Sequence, residues 1–361
     1  MGTGILALLI ELHLGRTPIG GVAAHALLML AWALLLGLGG AFVARCCRDP
    51  RELRASWTGP AGAAAWGTVS MGILSVGSAT LKVAVGQGDS VAAVGQWVDA
   101  VLWSVGTVIG FATAIGFMIA LLRRDRGRPA MTWGLPVVPP MVTATAGATL
   151  APLLPAPWHA LVWWVAVAGF VIAGILAAVI FGAAYHHHLR VAAIPVEASA
   201  TSWIPLGVVG QSTAAAVALA AKSPLAEGRA MSIAHGYGYA MLLIGVPVIG
   251  FAARTTVRGF RAQMPFAPTW WSLTFPIGTL SLGAHLLGTQ TGQGWIVVLG
   301  WLALAVLVGT WTLCARATIR AATTARVAPA TTGAALGSSA PATASTDPAS
   351  PVPLRRRRPP A

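Results

Sequence analysis

WWSLTFPIGTLSLGA, residues 270–284, is an apolar stretch rich in small residues, opened by tryptophan and interrupted early by Pro276. Three other stretches open in the same way, the last two of them also with an early proline: WGTVSMGILSVGSA from Trp66, WGLPVVPPMVTATAGA from Trp133 and WIPLGVVGQSTAAAVA from Trp203. The anchors Trp66, Trp133, Trp203 and Trp270 stand 67, 70 and 67 residues apart. Each stretch is followed, after a short polar loop, by another long apolar one. A period near 70 residues in an apolar chain marks repeated helical hairpins. Proline and glycine are tolerated in lipid where neighbouring helices or a water-filled lumen satisfy the freed backbone groups. The first helix of each hairpin is therefore expected to line a pore.

Composition settles the broad class. Hydrophobic residues make up 56% of the 361, charged residues 9%, and the mean hydropathy is +0.75, values that fit a helical protein crossing a membrane many times. Apolar spans are expected at about 1–12, 19–44, 61–85, 91–122, 130–152, 157–185, 199–222, 231–253, 268–288 and 293–315. The expected fold is all-α and polytopic: ten transmembrane helices as five hairpins around a central pore.

The net charge of +14 is a matter of topology rather than of nucleic acid. All of the 23 basic residues except Arg16, Lys82, Lys222 and Arg229 fall in the loops after the even spans or in the C-terminal tail. By the positive-inside rule both termini face the cytoplasm. One helix more or fewer would scramble that alternation. Cys46, Cys47 and Cys314 fall on the same reducing side and imply no disulfide scaffold.

Span 1 is about half a helix, too short to cross ~30 Å of hydrocarbon at ~1.5 Å per residue. MGTGILALLI matches SMGILSVG of span 3 in a register that would put the opening tryptophan before Met1, so an over-late start or a truncated chain is expected. The division expected is a membrane domain over 1–320 and a disordered, basic cytoplasmic tail over 321–361. That tail is rich in Ala, Thr, Ser and Pro, ends in RRRRPPA, and lacks the apolar surface to fold.

Charge inside a membrane is costly and usually functional. No span core holds Arg or Lys, and no acidic pair sits at general acid–base spacing. A carboxylate proton relay, intramembrane metal hydrolysis and enzymatic activity in general are thus not expected. Asp99, some eight residues into span 4, reads as lying near the outer interface, solvated or paired with Lys82. Lys82 and Lys222 at the outer ends of spans 3 and 7, with His285 at a similar offset in span 9, would attract anions to a low-dielectric mouth; the alternative is that they merely snorkel. His186, His187 and His188 point in different directions on one helix and read as an interfacial cap rather than a metal site. His235 reads as an interhelical hydrogen-bonding group. Neither a metal nor a cofactor is expected.

The odd spans carry what a neutral pore uses: prolines at Pro136, Pro139, Pro140, Pro205 and Pro276 to bend helices, and Gly72, Ser75, Thr143, Gly207, Ser212, Thr274 and Thr279 as small or hydroxyl lining groups. Such a lumen admits anions and binds them weakly, which suits conduction. Phe275 is the one bulky aromatic in the middle of span 9. It could occlude a narrow pore, or simply pack in the core or against lipid.

MGTGIL, WGLPVVPPM, SWIPLGVVGQ and above all TWWSLTFPIGT resemble the tellurite-resistance/dicarboxylate transporter family. That family includes bacterial tellurite-resistance channel homologues, yeast malate permeases, fungal sulfite exporters and plant guard-cell slow anion channels. The likeness covers roughly residues 1–320. It implies ten helices in five hairpins, a pore of odd helices in each protomer, assembly as a homotrimer, and residence in the plasma membrane. It also implies that a ninth-helix phenylalanine plugs the pore, which here is Phe275, and that proline-bent inner helices map to Pro136, Pro205 and Pro276. Span 3 departs from that pattern, offering Gly72 and Gly77 instead of a proline. The expected function is passive or secondary transport of small anions. Sulfite or tellurite oxyanion export and proton-coupled C4-dicarboxylate transport are the alternatives within transport, and a non-transporting membrane sensor or assembly subunit is the alternative outside it.

Overall fold

The computed structural model describes residues 1–58, 60–123, 128–221, 223 and 227–327. Expectations that fall on Lys222 and on most of the tail lie outside them. The described residues form helices and no strand: α1 (Gly2–Leu14), α2 (Pro18–Arg48), α3 (Arg51–Thr58), α4 (Pro60–Val85), α5 (Asp89–Leu122), α6 (Pro139–Leu150), α7 (Trp158–Arg190), α8 (Ile204–Ala220), α9 (Glu227–Arg261), α10 (Phe275–Thr291) and α11 (Gly294–Val327). Eight helical segments among the described residues are long and apolar enough to cross a membrane. The first and ninth expected spans are shorter. α1 has 13 residues, and span 9 is divided at Thr274 into a 3-10 segment, Pro268–Leu273, and the 17-residue α10. α11 continues past the expected end of the tenth span.

Local chemistry sets several boundaries. Thr17 caps α2 by accepting from the Gly20 amide at 3.1 Å, and Pro18 follows where its missing N–H costs nothing. α10 ends at Gly292, whose φ of 67° is the left-handed turn that glycine supplies most cheaply. The inner prolines act at helix starts. A 3-10 segment at Met131–Gly134 precedes Pro139 and Pro140 in the first turn of α6; one at Val196–Trp203 precedes Pro205 in α8; and Pro268–Leu273 precedes Pro276 in α10. A proline fixes φ near its helical value and needs no acceptor in a first turn, so the chain changes from 3-10 to α there instead of bending within one helix. Pro136 lies in the turn before α6. α4 begins at Pro60, ahead of its tryptophan, has no proline after Trp66, and runs unbroken through it.

Packing closes a ring. α1 packs on α4, α4 on α6, α6 on α8, α8 on α10, and α10 back on α1. Each seam of that ring is covered from outside: α2 lies on α1 and α4, α5 on α4 and α6, α7 on α6 and α8, and α9 on α8 and α10. α11 covers the last seam through Ser281 Oγ donating to the Gly300 carbonyl at 2.8 Å and Trp311 Nε1 donating to Thr3 Oγ1 at 3.1 Å. Burial separates the two layers: 89% of the apolar window in 131–153 is buried, against 11% in α2.

With lipid as solvent, apolar area alone drives little association between helices, so close approach by small residues matters more. Gly210 of α8 lies against the backbone of Thr279 and Leu280 in α10, and Gly67 of α4 lies against the Leu135 carbonyl, too close in both places for a Cβ. Inner helices therefore pack backbone to backbone, which leaves little room along their common axis.

Candidate functional site at the centre of the inner ring

A small cavity lies among the five inner elements, lined by Met1, Met71, Leu135, Val138, Ile204, Gly207, Ser272, Phe275 and Pro276. Its lining comes from α1, α4, the approach to α6, the start of α8 and the start of α10. Phe275 is only 4% exposed and is the first residue of α10. Its position is fixed by the 3-10 segment behind it and by Pro276 ahead, whose Cα and ring carbons stand 3.7 Å from where a Cβ of Gly207 would be. The Phe275 side chain is thus held in the wall of this cavity by the backbone on either side of it.

Three helices begin around this cavity: Val138 precedes α6, Ile204 opens α8 and Phe275 opens α10. Each of these starts follows a 3-10 segment of the same chain. Apart from Ser272 and the Met1 amino group, the lining is apolar.

Of the expected lining groups, Gly207 borders this cavity and the Cβ position of Gly72 lies 3.6 Å from the Met1 nitrogen. The hydroxyls are engaged elsewhere. Thr143 accepts from Thr107 of α5 at 3.2 Å, Thr279 donates to the Gly207 carbonyl at 3.3 Å, and Thr274 donates to the Trp271 carbonyl at 2.7 Å. Ser75 reaches the Gly72 carbonyl at 3.0 Å, and the Ser212 side chain bonds to Tyr237 of α9. They join helices.

Toward the far ends of the inner helices, Lys82 is half-buried near the end of α4. His13 of α1 and His285 of α10 meet with ring centroids 4.5 Å apart, and Trp301 of α11 stands edge-on to His13 at 4.8 Å. Lys222, expected with Lys82 at the outer mouth, lies outside the described residues.

Two sequence-based expectations need correction. Asp99 is neither solvated nor paired with Lys82: it is fully buried between α5 and α4, and neither carboxylate oxygen has a hydrogen-bond partner. It points into the space over Gly77, which has no side chain to exclude it. His235 has a buried Nε2 with no partner, so that nitrogen makes no interhelical hydrogen bond. His187 and His188 pack edge to face at 5.3 Å, and no cluster of three or more potential metal ligands occurs among the described residues.

A closed inner ring of apolar helices, sheathed by a second layer of membrane-crossing length, defines an integral membrane transporter or channel. The chain belongs to the SLAC1 voltage-dependent anion channel family, whose model matches residues 1–319. It is similar to the sulfite efflux pumps SSU1 of Trichophyton rubrum, 23% identical, and of Arthroderma otae, 25% identical; each alignment covers 87% of this chain and 86% of the pump. An uncharacterized transporter of Methanocaldococcus jannaschii is 25% identical over 52% of this chain, which spans 54% of that transporter's length. No solved structure matches significantly.

Proposed function

We propose that the chain carries small anions through the centre of its inner ring, with Phe275 as the obstruction that must move or be passed. The observation that carries this reading is the convergence of Phe275 and three helix starts on one cavity bordered by all five inner elements. The full arrangement takes ten spans in five hairpins with both termini in the cytoplasm, in a plasma membrane and as a homotrimer. No coupling ion is required. A membrane potential of 100 mV is worth about 2.3 kcal/mol per unit charge, enough to drive anions out of an inside-negative cell.

Sulfite is the favoured cargo, because two relatives aligned along most of the chain are named as sulfite efflux pumps. Proteoliposomes carrying the protein, given an imposed potential and chloride, nitrate, sulfite or malate, test both parts. Potential-driven flux led by sulfite is expected. Flux of malate driven only by a pH gradient would indicate proton-coupled dicarboxylate transport instead. Folded protein that moves none of the four anions would indicate a non-transporting subunit.

A further inference from the structure

A second cavity lies away from the ring axis, in the outer layer. It is a groove of about 600 Å³ between α7 and α9 with α8 as its floor, lined along its length by Phe170, Phe181, Tyr185, Val208, Met241 and Val248. We propose that this groove binds an acyl chain of an anionic phospholipid, with the headgroup at the Tyr185 end.

Dimensions come first. From Phe170 to Tyr185 is fifteen residues of α7, or ~22 Å at ~1.5 Å per residue. One leaflet contributes about half of a ~30 Å hydrocarbon core, so the groove accepts a whole acyl chain. Its walls are helices of membrane-crossing length, so its surroundings supply that chain. Two glycines keep it open: a Cβ on Gly182 would meet nothing within 4 Å, and one on Gly174 only the Met141 terminal methyl at 4.0 Å.

Polarity then orients the occupant. The Tyr185 hydroxyl is buried and has no hydrogen-bond partner, although its ring is held edge-on against Phe251 at 5.3 Å. Buried hydroxyls normally find an acceptor, and a glycerol ester carbonyl at this end would supply one. The same ends of α7 and α9 carry the charge: His187, His188 and Arg190 close α7, and Arg254, Arg258 and Arg261 close α9. Arg258 donates to the Ile194 carbonyl, while Arg190 and Arg254 are exposed. Arginines suit phosphate, and basic groups beside a membrane favour acidic lipid by about fivefold each. A zwitterionic lipid would fill the same groove and gain far less from those arginines.

Native mass spectrometry of the purified protein, titrated with phosphatidylglycerol or phosphatidylcholine of identical chains, tests this without reference to transport. Retention of phosphatidylglycerol at least fivefold above phosphatidylcholine is expected, falling about fivefold in Arg254→Gln. Gly174→Phe with Gly182→Phe, which fills the groove, should abolish retention of both lipids while the oligomeric mass stays unchanged. If that variant does not fold, Tyr185→Phe removes the hydroxyl alone and should weaken retention. Equal retention of the two lipids by the wild type overturns the proposal. So does undiminished phosphatidylglycerol retention in the filled variant, or in Tyr185→Phe where that stands in for it. A filled variant that loses its oligomeric state and keeps its lipid would assign the groove to a second copy of the chain.

Discussion

The carboxylate of Asp99 on α5 occupies the space that Gly77 on α4 leaves by having no side chain. A carboxyl group with no partner stabilises nothing by itself, so the contact matters through shape. Gly77→Ala should overpack the seam and cost about 1–3 kcal/mol. Asp99→Ala should recover part of that loss, because the two sites share one volume. Thermal unfolding of the two single variants and the double variant in detergent checks this. Costs that simply add would mean that the two residues do not compete for space.

The approach of α8 to α10 at Gly210 should be the least forgiving point of the ring. A methyl group there meets the backbone of Thr279 and Leu280, which cannot turn aside as a side chain would. Gly210→Ala is expected to lower the yield of folded protein sharply, with a cost of about 3 kcal/mol or more. Gly37→Ala in α2, where the added methyl meets nothing within 4 Å, should be neutral or stabilising by about 0.5–1 kcal/mol. Fluorescence-detected size exclusion of the two variants after graded heating distinguishes them.

Lys82 stands half-buried near the end of an inner helix, where its charge would raise the local concentration of anions. Lys82→Gln should therefore reduce anion flux severalfold at low ionic strength and hardly at all in ~1 M salt, where charges are screened beyond ~3 Å. Lys82→Arg should behave as wild type. Flux through Lys82→Gln that equals the wild type at low salt would remove this residue from the conduction path.

Much of this organisation was legible in the tryptophan repeat, because each anchor marks the start or the first turns of an inner helix. Trp133, Trp203 and Trp270 fall in the 3-10 segments ahead of α6, α8 and α10, while Trp66 sits within continuous α4. The missing proline of span 3 therefore foretold a real difference in backbone, although the prolines mark helix starts and not bends. The roles of the hydroxyls were not legible. An amphipathic helix shows its buried face in its periodicity, but α6, α8 and α10 are buried all round and have no polar stripe to point toward a lumen. Thr143, Ser212 and Thr279 looked like lining groups for that reason, and they bind helices together. Asp99 was misplaced because a single acid near a span end says nothing of the glycine it packs against. The burial of Phe275 could be anticipated without periodicity, since a lone aromatic among small residues in mid-span stands out by size.

The central claim is that Phe275 blocks a path for anions through the inner ring. The most direct measurement is potential-driven anion flux into proteoliposomes containing wild type, Phe275→Ala or Phe275→Leu at matched, verified folded content. Removing the ring should raise flux at least tenfold in Phe275→Ala, equivalent to about 1.4 kcal/mol off the barrier, with Phe275→Leu between it and the wild type. Flux in Phe275→Ala equal to or below that of the wild type would contradict the account.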